Sequence, residues 1–326
     1  MIEIQYSRTS MRDLEQLLGH NRGDILRIAS RSGRYYAPFD IRRCGSSKWR
    51  HIDNPEGELR YLQNRIQRRL LRNLELNARV LGGVRDRSVV DNARYHLRKS
   101  SLVVFDIHAC FPSISHRRIY NVFSETLGYS ARIAGILTQL TTFQHRLPQG
   151  APTSTMLANL ALFPMQSDLR TLAATRGLEV SFWVDDIAMS GPEAERAIAD
   201  VVDIIHRHGF EVSWSKLAIA CAWAPQRVTG VGCNVFPSAG RNPKSGRRRI
   251  VEIRDEIYRL ATVAVVMDYE LQSIRGRIEW VRSVNPIQGA ALERYASTRL
   301  PRYATPGASP ETDEWRACRR AYHHER

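Results

Sequence analysis

Long apolar runs are missing from this 326-residue chain. No stretch reaches the roughly 18 consecutive apolar residues that a bilayer span needs, so no membrane contact is expected. The opening MIEIQYSRTSMRDLEQLLGH has no basic start, apolar centre or small-residue cleavage site, which argues against a secretory signal. Cysteine is sparse and scattered. Cys44, Cys110, Cys221, Cys233 and Cys318 form neither a close zinc-type pair nor a disulfide framework, and a reducing cytoplasm is the expected setting. Acidic residues are also short, with 33 Asp and Glu against 48 Lys and Arg, giving a net charge of +15. A surplus of that size points to a polyanionic partner, with a merely solvated basic surface as the plain alternative. What the chain does have is apolar content, 43%, enough for two or three lobes sharing a core.

The first thirty or so residues read as a helical lead. IRRCGSSKWRHI (41–52) reads as a hairpin with a polar tip, closed by Asp53-Asn54-Pro55. Next, Leu59, Leu62, Ile66 and Leu70 share one helical face, opposite Arg60, Arg65, Arg68, Arg69 and Arg72. That basic arc is either a solvated back or a rail for phosphates. Ser101 to Phe105 is a short β-branched run ending in Asp106, a buried strand with a carboxylate at its end. A helical segment is expected from about Ser115 to Phe143. LPQGAPTSTMLANLAL (147–162) reads as a loop entering a helix, with Thr153 or Ser154 as cap. VSFWVDDIAMS (180–190) is two strand halves around Asp185-Asp186, and helix signals return from Glu193 to His208. KSGRRR (244–249) reads as a basic linker, followed by helical pattern to about Leu300. No internal repeat is visible.

Asp185 and Asp186 sit at the centre of an apolar hairpin. Adjacent carboxylates repel and are costly to desolvate, so the pair needs a neutralising metal or cation. The plain alternative is a simple turn, where Asp is common. If the Asp106 strand neighbours this hairpin, three carboxylates converge at one sheet edge. All-oxygen ligation of that kind suits Mg²⁺, and two such ions can clamp an in-line phosphoryl displacement.

At these residues the chain resembles the reverse transcriptases. WVDD (183–186) resembles their aromatic-x-Asp-Asp turn, DIHACFPSI (106–114) their first catalytic motif, and LPQGAPTSTMLANL their Gln-Gly loop and helix. Lys216 stands where they carry a palm lysine, and the likeness extends over roughly residues 35–300. NARYH (92–96) and VTG (228–230) resemble two elements of the bacterial retron enzymes. Trp183, His108, Ala109, Cys110 and Thr155 depart from the usual pattern, and none of these changes removes a carboxylate.

The resemblance implies an α+β fold of the right-hand polymerase type. Residues 1–34 would form a helical lead, 35–238 the fingers and an antiparallel-sheet palm, 239–303 a helical thumb, and 304–326 a partly disordered tail. It implies Asp106, Asp185 and Asp186 as ligands of two Mg²⁺ ions, with Lys216 as a catalytic residue or a plain salt-bridged lysine. Arg42, Arg43 and Arg50 would grip the dNTP phosphates. Ala109 and Cys110 would offer backbone N–H groups to the triphosphate, and Phe111 would exclude a ribose 2′-hydroxyl or be simply core. Gln149 and Gly150 would meet the incoming nucleotide. Asn92 and His96 would bind RNA or organise structure, and Val228, Thr229 and Gly230 would shape a turn near the primer end. Arg247, Arg248 and Arg249 would lie near duplex phosphates. The implied activity is copying of a cognate structured noncoding RNA into RNA-linked single-stranded DNA, in phage defence with a separate effector protein. Two alternatives stay open. One is another bacterial reverse transcriptase, of group II intron or abortive-infection origin. The other is a catalytically dead RNA-binding palm, which predicts loss of a catalytic carboxylate where all three are present.

Overall fold

Helix formation begins where the sequence offers a cap. In the computed structural model, which describes residues 10–42, 49–234, 244–245, 247–263, 266–300 and 303, Ser10 and Asp13 close a capping box on α1 (Met11–Leu18). Asn21 caps α2 (Arg22–Ser30). β1 (Tyr36–Arg42) and β2 (Trp49–Pro55) then pair antiparallel, from Tyr36↔Pro55 to Arg42↔Trp49. The tip between them lies outside the described residues. α3 (Gly57–Arg69) buries Leu59, Leu62 and Ile66 as its periodicity predicts. Its basic arc is not a continuous rail. Arg65 Nε donates to Leu17 O at 3.0 Å, satisfying a C-terminal carbonyl of α1, and Arg60 donates to Asn54 Oδ1 at 3.0 Å.

After α4 (Val89–Arg94) comes β3 (Ser101–Asp106), an interior strand of a four-stranded antiparallel sheet. With β4 (Glu179–Trp183), β5 (Asp186–Gly191) and β6 (Ala218–Cys221), the order is β4-β5-β3-β6. Between β3 and β4 run α5 (Cys110–Ser113), α6 (His116–Asn121), α7 (Ala131–Thr141) and α8 (Ser154–Thr175). α9 (Ile198–Arg207) follows β5. The continuous helix expected over 115–143 is broken. A π turn over Val122–Thr126 ends α6, and Gly128, at φ 71°, reverses the chain before α7. Nor does a side chain cap α8. Thr153 is already in the helical region, and its hydroxyl and that of Ser154 are buried without partners. Leu59, Phe105, Phe123, Leu157, Phe182 and Ile205 represent the core of this unit.

The chain divides into two units, Met1–Lys244 and Ser245–Arg326. In the second, α10 (Arg247–Ala261), α11 (Asp268–Val284) and α12 (Pro286–Arg299) share a core that includes Ile253, Ile257, Ile274, Ile278 and Leu292. The expected linker 244–249 is corrected here: Arg247, Arg248 and Arg249 form the first turn of α10. Arginine is a good helix former, so the helix extends back from its apolar stripe. Among the described residues, no helix is long and apolar enough to cross a membrane.

Candidate active site

The sheet register brings the acids together. Asp106 ends β3 directly opposite Asp186, the first residue of β5. The tight β4–β5 turn holds Val184 at φ 57°, a region β-branched residues rarely adopt. Ile107 N–H donates to Asp185 O at 3.0 Å, which pins that turn to the end of β3. Lys216, on the segment before β6, donates its ammonium to both oxygens of the buried Asp106, at 2.8 and 2.7 Å. Burial holds the Asp185 carboxyl above its ordinary range, and the charge of Asp106 adds to this, while Lys216 and Arg50 pull the other way.

Among the described residues, no group of three His, Cys, Asp or Glu side chains forms a ready-made metal cage. The donor set is nonetheless all carboxylate, and the charge of Asp106 adds to the cost of ionising Asp185. Such a set fits a divalent ion whose remaining ligands are substrate oxygens and water.

The start of α5 crosses the same site. Ser213 N–H donates to Asp106 O at 2.8 Å and His108 N–H to Glu211 O at 2.7 Å. Ala109 turns left-handed, at φ 45°, and is exposed. Cys110 is buried, and burial raises its thiol pKa, with the charges of Asp185 and Asp106 adding. Phe111 is half-buried against the edge of the core.

Arg50 and Gln149 also meet. With the Gln149 amide oxygen turned to Arg50, it accepts from Nε at 2.6 Å and Nη2 at 2.9 Å. The two backbones are joined as well. Asp53 N–H donates to Gln149 O at 2.8 Å, and Gln149 N–H donates to Asp53 Oδ2 at 3.1 Å. Gly150 has φ 123°, and a Cβ there would lie 2.7 Å from Ile52 Cγ2, so only glycine seats the loop against β2. Arg42 is exposed on β1, and Arg43 lies outside the described residues.

Asn92 and His96 are buried, at 1% and 0% exposure, so the RNA-contact reading is corrected to the structural one. Ser181 donates its hydroxyl to Asn92 Oδ1 at 2.5 Å. Its oxygen must then accept from His96 Nε2 at 2.7 Å. That places the ring proton on Nε2 and leaves Nδ1 to accept from Ser190 Oγ at 2.7 Å. The motif therefore ties both strands of the Asp185-Asp186 hairpin to the segment around α4. Burial pushes the His96 pKa down to about 3, which keeps the ring neutral.

Val228, Thr229 and Gly230 form the turn of a further hairpin, β7 (Arg227–Val228) and β8 (Val231–Gly232), which packs against α4. Thr229 and Gly230 take positive φ, and Val228 is buried. The two short retron-like elements are thus neighbours. Arg249 stacks on the Trp280 ring, 3.7 Å from its centroid, within the second unit. The side chains of Arg247 and Arg248 lie outside the described residues.

Two supports were not singled out from sequence. Asp53 was read only as the close of a hairpin. Gly82 packs against the Asp185-Asp186 turn, where a Cβ would lie 2.7 Å from Val184 N and 2.8 Å from Trp183 C. Its carbonyl accepts from Asn159 Nδ2 at 2.8 Å. The Gly82-Gly83 pair was the available signal.

A sheet end carrying three acids, with the charge of Arg50 acting on one of them, defines a class that the comparisons name. The family description "Reverse transcriptase (RNA-dependent DNA polymerase)" matches residues 41–247, and the chain belongs to that family. Relatives narrow the match to bacterial retron enzymes. The chain is 26% identical over 272 residues to the retron Ec86 reverse transcriptase of Escherichia coli, covering 82% of each protein. It is 28% identical over 293 residues to the retron Mx65 reverse transcriptase of Myxococcus xanthus, covering 82% of this chain and 65% of that one. To the retron Se72 reverse transcriptase of Salmonella heidelberg it is 26% identical over 216 residues, 64% of this chain and 57% of the other. A telomerase structure from Candida albicans aligns with TM-score 0.47 at 9% identity, covering 83% of this chain and 61% of that one. RNA-directed DNA polymerase activity, an RNA template and the family's general use of divalent metal ions follow from membership.

Proposed function

We propose that this enzyme copies part of a cognate structured noncoding RNA into single-stranded DNA that stays joined to the RNA, priming from a 2′-hydroxyl within it. In this reading β1–β2 belongs to the fingers, the four-stranded sheet is the palm and α10–α12 the thumb. The observation that carries it is the Asp106↔Asp186 register with Asp185 on the adjoining turn. Those three carboxylates would hold two Mg²⁺ ions, which when bound would acidify the primer hydroxyl and neutralise the triphosphate. The chain's own groups do the rest. Arg50 offers a planar donor fork to phosphate oxygens, and Gln149 orients the nucleotide beside it. Backbone N–H groups at Ala109 and Cys110 face the triphosphate, and Phe111 leaves no room for a 2′-hydroxyl. Lys216 stands where it can move from Asp106 to the departing pyrophosphate and give it a proton. Positioning and charge neutralisation supply most of the acceleration.

A role in phage defence with a separate effector protein rests on the retron likeness. The test is to purify the protein with its bound nucleic acid, treat with RNase, and look for a short DNA carrying an RNA stub. Asp185→Asn should abolish that DNA. Its persistence in this variant would sink the mechanism.

A further inference from the structure

Asp53 is the buried acid that the chemistry above leaves without a task. Its side chain is 3% exposed, although Trp49, Arg50 and His51 on the same strand are exposed. Oδ2 accepts from Gln149 N–H at 3.1 Å. Oδ1 has no hydrogen-bond donor, and lies 3.3 Å from His51 Nε2 and 4.0 Å from Arg146 Nη2. Withdrawing a carboxylate from water is costly, and its retention asks for a return. The return visible here is control of one loop residue, the one whose amide meets Arg50.

The geometry points to Asp53 as a positioning residue for the incoming nucleotide, acting through Gln149 on Arg50. The inference rests on reading Arg50 and Gln149 as nucleotide contacts. A single backbone bond from Asp53 N–H to Gln149 O would leave the loop free to hinge. The second bond, from Gln149 N–H back to the Asp53 carboxylate, fixes its angle. The Gln149 side chain then presents its oxygen to the Arg50 guanidinium. The close seat of Gly150 on Ile52 holds the same loop from its other side. Asparagine would keep an amide oxygen for the Gln149 N–H, whereas alanine removes the acceptor and leaves that N–H without its side-chain partner.

The test uses the full-length protein on poly(rA) annealed to oligo(dT), with dTTP as variable substrate and the thermal midpoint recorded beside the kinetics. Asp53→Ala should raise the dTTP KM about tenfold with kcat within about twofold. Combined with Gln149→Ala, it should add nothing to the effect of Gln149→Ala alone, since both act on one contact. Should Asp53→Ala fail to fold, Gly150→Ala, which pushes the loop off Ile52, should raise KM in the same way. An unchanged KM in Asp53→Ala or Gly150→Ala, or effects that multiply in the double variant, overturns the inference. Gln149→Ala with an unchanged KM removes the underlying nucleotide-contact reading instead.

Discussion

Lys216 spans both oxygens of Asp106, at 2.8 and 2.7 Å, and so stands in for the cation that an isolated buried carboxylate would need. The lysine side chain is 52% exposed, so solvent screens the pair to about 1 kcal/mol at most. Lys216→Met should therefore let Mn²⁺ bind without substrate at about fivefold lower concentration. The rise of the thermal midpoint with Mn²⁺ reports this, and an unshifted titration would show that lysine and metal do not compete. Turnover should fall about 100-fold or more if Lys216 also serves as the acid.

Asp185→Asn should lose about three orders of magnitude or more in polymerisation while gaining stability. The folded chain holds the Asp185 proton more tightly than the unfolded chain, because burial raises its pKa above the ordinary 3.8. Ionisation therefore destabilises the fold, fully so above the folded pKa and not at all below the unfolded one. In EDTA at neutral pH the variant should melt about 1–3 °C higher than the parent, and the gap should close as pH falls toward 4. A variant that melts lower at neutral pH would contradict this.

His96 should make the first unit acid-sensitive. The unfolded chain takes up a proton near 6.5, but the folded one only near 3. Stability is thus complete above 6.5 and falls as pH drops through it, by up to about 1.4 kcal/mol per unit for this group. His96→Gln, which can still donate to Ser181 and accept from Ser190, should flatten that segment of a denaturation-versus-pH series. RNA affinity should stay level, because the ring is buried. A clear loss of RNA binding in a folded His96→Gln protein would restore the RNA-contact role.

Gly82→Ala should cut activity more than it cuts stability. The added methyl meets Val184 N and Trp183 C rather than a flexible side chain, so the turn carrying Asp185 must shift. A displacement near 1 Å can cost about 100-fold in rate. Full activity in Gly82→Ala would mean that the turn tolerates the shift.

The acids were legible because Asp106 ends an apolar strand, Asp186 begins one and Asp185 sits on the turn before it, a placement with few ordinary explanations. A hairpin was legible from its polar tip and basic flanks, although its strands, Tyr36–Arg42 and Trp49–Pro55, extend beyond the 41–52 expected, and the buried face of α3 was legible from three-to-four spacing. What sequence did not give was pairing across distance. Asp53 and Gln149 are 96 residues apart, and neither position has a pattern that names the other. Arg65 looked like part of a phosphate rail because periodicity reports which face a residue is on, and not that a carbonyl of α1 waits there. The basic run 247–249 looked like a linker because charge density masks helix propensity until the following isoleucines are packed.

The hydroxyl–imidazole–hydroxyl–amide chain through Ser190, His96, Ser181 and Asn92 runs inside the scaffold, with all four side chains buried. A signature built on positions 92 and 96 therefore identifies the frame of the machine rather than the message it copies. Retargeting this enzyme to a foreign transcript should leave both residues alone and alter only what solvent can reach.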